Sequence, residues 1–165
     1  MMRLGTASRL GATLLLVLFA TGWLAAPAAA GEPMLAVTGL PDGAERQLTL
    51  GELRRIGGVE ITTTTPWSEG TVTFTGVTGR QLVAALGAGG AEVLADAIND
   101  YRVTIPFEVF DSDDLLIAYE RDGVEMPVRD KGPLWIVFPV DSDARYVSEI
   151  YKAYSIWNLY RLEFH

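Results

Sequence analysis

The 165-residue sequence contains no cysteine and one histidine, at its last position. Without a thiol there is no disulfide framework, no thiolate nucleophile, no iron–sulfur cluster and no cysteine-ligated zinc. A single terminal histidine supports neither a Ser-His-Asp triad nor a multi-histidine metal site. Positive charge is scarce as well: 13 Lys and Arg stand against 21 Asp and Glu. Nucleic acid and anionic membrane surfaces attract the opposite balance, so neither is an expected partner. No internal linker is visible, nor any repeat of the about 20–50-residue period that marks solenoids. At 49% hydrophobic and 21% charged, the chain is not a disordered acidic tail either.

What is present begins with an address. Arg3 and Arg9 precede the apolar run Leu10 to Ala26, and Pro27 leads into Ala28-Ala29-Ala30 and Gly31. A basic start, an apolar middle and a small-residue exit describe a secretory signal peptide over residues 1–30. An uncleaved anchor is the alternative, because the run is nearly long enough to span a bilayer. The exit lacks the flanking charges of a stop-transfer segment, which favours cleavage. The arginines are not adjacent, so this is not a twin-arginine signal. The expected destination is the periplasm or the exterior. Removing residues 1–30 takes away two positive charges and leaves 11 basic and 21 acidic side chains, net −10. Residues 31–165 make one domain, large enough to bury a core without disulfides.

In that domain Leu35 to Val37 reads as a strand ended by Gly39 and a Pro41-Asp42-Gly43 turn. Thr49 with Glu52, and Thr78 with Gln81, have capping-box spacing. They predict a helix over Leu50 to Ile56 and another through Leu82, Val83 and Leu86, stopped by Gly57-Gly58 and by the Gly87 to Gly90 cluster. Val59 to Thr65 is a β-branched strand and Val72 to Phe74 a short one. Val93 to Ile98 and Tyr101 to Ile105 flank an Asn99-Asp100 turn as a hairpin. Leu115 to Tyr119 and Leu134 to Phe138 read as buried strands. Tyr151, Tyr154 and Trp157 have the spacing of a helix face, after which Ile156, Tyr160, Leu162 and Phe164 alternate as a strand. The sum is an α+β fold, mixed and strand-rich, with two or three short helices.

Three clusters are candidate sites. Asp111, Asp113 and Asp114, with Asp141 and Asp143, offer oxygen ligands to Ca²⁺, but they lack the loop motif of a helix-loop-helix site. Turn formation and helix capping are the plainer use. Thr62 to Thr65, followed by Trp67, line either a polar pocket or a half-exposed strand. Arg129-Asp130-Lys131-Gly132-Pro133 puts two cations beside a Gly-Pro loop before an apolar strand. There backbone N–H groups and positive charge can meet a small anion. Tyr101, Arg145 and Trp157 are candidates to complete such a pocket.

The order of several segments resembles a known family. Thr64-Thr65-Pro66-Trp67 is followed by Phe74-Thr75-Gly76-Val77, Asn99-Asp100-Tyr101 and Ile105-Pro106. Then come Ile117-Ala118-Tyr119-Glu120, Asp122 to Pro127 and Lys131-Gly132-Pro133-Leu134-Trp135. Together they are similar to the molybdopterin-binding domain of the sulfite oxidase family, in a short exported form, over Leu35 to Phe164. The resemblance implies a mixed α+β domain that holds a molybdenum–pterin cofactor for oxygen-atom transfer. It also implies a cysteine thiolate on the metal at the end of a strand that here ends in Thr62 to Thr65. Thr64 or Thr65 stands near that place, and a neutral hydroxyl is a far harder and weaker ligand. The family's basic pterin-phosphate contacts map by loop position to Arg129 and Lys131.

With the thiolate missing, and a leader suited to unfolded chains, no metal or catalytic residue is expected and no cofactor is expected to be retained. The leading expectation is a non-catalytic module for a small anionic or pterin-like ligand, held by Thr63, Thr64, Thr65, Trp67, Tyr101, Arg129 and Lys131. It would be a periplasmic binding module or a sensory accessory, in the second case with a membrane-bound sensor as partner. Two alternatives stay open at this point. One is a molybdopterin-dependent oxidoreductase with an oxygen ligand. The other is a ligand-free protein docking on a membrane partner through Tyr151, Tyr154 and Trp157.

Overall fold

The computed structural model describes residues 31–165; the signal peptide expected over residues 1–30 lies outside the described residues. The strands are β1 (Pro33–Thr38), β2 (Arg46–Thr49), β3 (Val59–Thr63), β4 (Val72–Thr78), β5 (Glu92–Ala97), β6 (Arg102–Pro106), β7 (Leu116–Arg121), β8 (Val124–Glu125), β9 (Leu134–Val137) and β10 (Trp157–Phe164). The helices are α1 (Leu50–Ile56), α2 (Gly79–Leu86), α3 (Phe107–Phe110) and α4 (Glu149–Tyr154). One sheet runs β2-β1-β10-β9-β7-β4-β3, with β5 and β6 branching from β10 and β8 pairing with β7. Among the described residues only the β1–β10 pair is parallel; the other strand pairs are antiparallel.

Both capping boxes form. Thr49 Oγ1 accepts from the Glu52 N–H and Thr78 Oγ1 from the Gln81 N–H, while the Glu52 and Gln81 side chains reach back to the two cap N–H groups. Helix α2 ends at Gly87, whose φ of 62° is the left-handed conformation that glycine adopts most easily.

The sheet buries both faces between β4 and β9, and the period-2 alternation sorts the side chains. Leu115, Ile117, Tyr119, Leu134 and Ile136 join Leu53 of α1 and Leu82 of α2 in the larger core. Leu116, Ala118, Trp135 and Val137 point the other way and pack with Phe74, Val72 and Met126, flanked by Trp157. This smaller face positions the site.

The structure differs from the sequence reading beyond element ends: α3 and β8 were not expected, so four α-helices form among the described residues rather than two or three. Strand β3 stops at Thr63 rather than Thr65, because the Thr64 and Thr65 N–H groups donate to Asp141 and Ser68 side chains instead of a neighbouring strand. Strand β4 continues through Thr78 by pairing with β7. Strand β2 escaped detection because its four polar-rich residues carry no clear alternation. Trp157 is not on the helix with Tyr151 and Tyr154; α4 ends at Tyr154 and Trp157 opens β10 opposite Trp135.

Candidate functional site

At the end of β3 the threonines meet a carboxylate from the loop after β9. Thr64 Oγ1 donates to Asp141 Oδ1 and the Thr64 N–H to Asp141 Oδ2, each at 2.6 Å. Thr63, 1% exposed, donates its hydroxyl to the same carboxylate at 3.3 Å and accepts the Asp141 N–H. Thr65 forms a local turn with Ser68, and its Oγ1 accepts the Trp67 N–H. These hydroxyls are therefore committed to holding the 64–71 loop rather than lining an open polar pocket. Asp141 clasps two segments far apart in sequence, beyond the turn chemistry expected of it, whereas Asp143 caps the Arg145 N–H as expected.

Hydrogen bonds from the Thr64 hydroxyl, then the Thr64 N–H, with a smaller one from Thr63, hold the Asp141 carboxyl below its usual pKa. Its folded value lies under its unfolded value, so its stabilisation is present above about pH 4 and fades as pH falls through the folded value. Melting temperature measured from pH about 5 to 2 is therefore expected to fall more steeply in the wild type than in Asp141→Ala. Parallel curves for the two proteins would remove Asp141 from this role.

The loop that the clasp anchors carries Trp67 across the smaller core. Its ring lies 4.9 Å from Trp157 in an edge arrangement and 6.0 Å from Trp135, while Phe74 meets Trp135 edge-on at 5.2 Å. Such edge-to-face contacts satisfy the ring quadrupoles. Lys131 places its Nζ 5.7 Å from the Trp135 centroid and 5.8 Å from that of Trp157, within cation–π range. Among the described residues Lys131 has no carboxylate within ion-pair distance.

Asn158 sets the loop that carries Lys131. It is the extra residue of a bulge between β10 and β9, with a φ of 54°, and bulges re-aim side chains. Its Nδ2 donates to the Val128 carbonyl at 2.8 Å and to that of Gly132, and its N–H donates to Lys131 O at 3.1 Å. Asn158→Gly keeps the left-handed backbone and loses the side-chain bonds, for about 1 kcal/mol; Asn158→Ala adds the strain, for about 2 kcal/mol or more. Denaturant unfolding of the two variants checks that order.

Two expectations about this loop are corrected. The Asp130 and Gly132 N–H groups turn back onto the Pro127 carbonyl at 2.8 and 3.0 Å, so they do not present donors to an anion. Arg129 sits exposed on the short 3₁₀ turn Val128–Asp130, whereas Lys131 is drawn onto the tryptophans. Arg145 belongs elsewhere: it bonds Asp114 and the Tyr146 hydroxyl and lies 4.7 Å over the Tyr146 ring. Burial, with the hydroxyl donating a hydrogen bond to Asp114, pushes the Tyr146 phenol up to about 12.

Beside Trp67 and Trp157 opens a cavity of about 210 Å³, also lined by Asn99, Tyr101, Lys152, Ala153, Ser155 and Ile156. Tyr101 and Trp67 thus line the same cavity. Lys152 and Asn99 were not foreseen as site residues; a cation on the face of α4 is no signal until the helix is docked. The aromatic docking patch is corrected too. Tyr154 is 7% exposed, and Tyr151 packs edge-on against Phe138, Tyr146 and Tyr154 in the domain's own core.

A molybdenum–pterin group, as the resemblance implies, finds a poor donor set here. The chain has no thiolate, and the two hydroxyls expected near its place are taken, that of Thr64 by Asp141 and that of Thr65 by Ser68. Among the described residues no cluster of three His, Asp or Glu side chains stands ready to hold a metal. A soft sulfur ligand has been replaced by hard, neutral oxygens that are already paired. The residues present do not fit the metal end of that group.

No curated protein matches the chain. Among solved structures it is similar to the sulfane dehydrogenase SoxCD from Paracoccus pantotrophus, with a TM-score of 0.62 at 17% identity. The likeness covers 86% of this chain and 40% of that one, so the chain spans about two fifths of the SoxCD chain, and it shows the shared fold. The family model for the oxidoreductase molybdopterin binding domain matches residues 34–151, well over half of the sequence. With that match on this sheet, the chain belongs to the oxidoreductase molybdopterin-binding domain family, and its domain has the sulfite oxidase fold.

Proposed function

We propose that this protein is a non-catalytic member of its family: an exported module that binds a small anionic ligand at the tryptophan cluster and serves a membrane-bound sensor. The observation that carries this reading is the clasp at the β3 end. Near the place where the resemblance calls for a metal-binding thiolate, Thr64 donates to Asp141 and Thr65 to Ser68, which ties the loop shut. A side chain that closes the fold in this way is unsuited to exchange ligands with a metal. Lys131 supports the anion preference. It is a cation packed on two indole rings and without an acidic partner among the described residues, in a chain whose net charge is −8. Arg129, two residues earlier, adds to the positive potential of the same loop.

Molybdenum and pterin analysis of protein purified from its natural host tests the non-catalytic half of the proposal. Background metal supports it; one molybdenum per chain overturns it and restores an oxidoreductase with an oxygen ligand. Thermal-shift measurements with small anions, on wild type and an Arg129→Ala/Lys131→Ala variant, test the binding half. Stabilisation that the double variant loses supports it. No stabilisation of the wild type by any anion overturns it, and equal stabilisation of both proteins places the anion on a cation outside the 129–131 loop.

A further inference from the structure

We infer that the cleft between Trp67, Tyr101 and Trp157 binds a flat aromatic carboxylic acid, with its ring against the indoles and its carboxylate on Lys152. The inference deepens the binding-module reading and rests on it.

The walls select the ring. Three aromatic side chains and Ile156 line the cavity, and two of them, Trp67 and Tyr101, remain 37% and 44% exposed. Exposed aromatic surface of this kind gains most from a planar partner, by area burial and by ring-to-ring contact. At about 210 Å³ the cavity falls below the roughly 300–1,000 Å³ of drug-sized sites, which limits the ligand to one ring or two fused rings. Most polar groups at the walls are already engaged. The Tyr101 hydroxyl donates to the Ala153 carbonyl and the Ser155 hydroxyl to that of Tyr151. A sugar-like ligand with many hydroxyls would leave its own groups unpaired.

The charges select the acid. Aromatic walls alone would also welcome a cation, but Lys152 lines the cleft and Lys131 lies against Trp157. Both ammonium groups repel a cation. Among the described residues Lys152 is held only by Glu149, one turn away at 2.6 Å, and the Glu149 side chain is almost fully exposed. An exposed pair of this kind is weak, and an ammonium has three donors. Lys152 can therefore take a ligand carboxylate without unfolding anything.

Calorimetric titration of the purified protein with benzoate, 4-hydroxybenzoate, benzyl alcohol, cyclohexanecarboxylate and benzyltrimethylammonium tests this. The two benzoates are expected to bind, the saturated acid at least about tenfold more weakly and the cation not measurably. Lys152→Met is expected to weaken benzoate by about tenfold while leaving benzyl alcohol unchanged; Trp67→Ala is expected to weaken both. Equal binding of benzoate and cyclohexanecarboxylate, or benzoate binding unaffected by either substitution, would overturn the inference. A metal-free protein that ignores aromatic acids refutes this ligand class alone, whereas stoichiometric molybdenum refutes the underlying binding-module reading.

Discussion

Trp135→Ala is expected to destabilise the domain by about 3–5 kcal/mol, in the range of buried large-to-small aromatic substitutions. Trp135 is 1% exposed and fully inside the smaller core. Its ring contacts Phe74, Trp67 and Trp157, carries Lys131 over its face, and donates its Nε1–H to the Ser155 carbonyl at 3.3 Å. Removing it leaves a cavity on one side of the sheet and unpairs a carbonyl at the start of β10. The total stability of a domain is about 5–15 kcal/mol, so the variant should be largely unfolded well below the wild-type midpoint. Denaturant unfolding followed by circular dichroism measures this. A loss under about 1 kcal/mol would mean that Trp67 and Trp157 close the space, and that the cleft is far more plastic than its packing implies.

Gly76→Ala is the second large effect, from the opposite cause. Gly76 lies in β4 where the pairing with β7 shifts register between Thr75 and Gly76. A Cβ there would stand 2.3 Å from the Ile117 carbonyl oxygen and 2.7 Å from the Ala118 Cα. Both are backbone atoms of an interior strand held by ladders on either side, so no rotamer change relieves the clash. A cost of about 3 kcal/mol or more is expected, at the upper end for overpacking. Gly89→Ala is the matching control, because nothing lies within 4 Å of its Cβ, and it should stay within about 0.5 kcal/mol of wild type. Equal unfolding midpoints for the two variants would contradict the close approach of β4 and β7.

Much of this molecule was legible from local chemistry. A capping box is a contract between residues three apart, so Thr49 with Glu52 and Thr78 with Gln81 announced α1 and α2 with their boundaries. Continuous apolar runs along β7 and β9 announced strands buried on both faces, since a half-exposed strand would alternate with polar residues. The missing cysteine, a property of composition, settled that no thiolate could stand at the end of β3. Segment order carried the family, since motifs that are individually weak become specific when their sequence and spacing agree.

The site, by contrast, was decided by distance in the folded chain. Asp141 lies 77 residues beyond Thr64, and nothing local shows that its carboxylate will claim the two threonine hydroxyls. Lys131 and Lys152 look alike as charged surface residues. The Asn158 bulge draws one onto Trp135 and Trp157, and the docking of α4 sets the other on the rim of the cleft. Local propensity reaches only a few residues along the backbone. Which charge meets which ring depends on sheet register, and register is a property of strands brought together from across the whole chain.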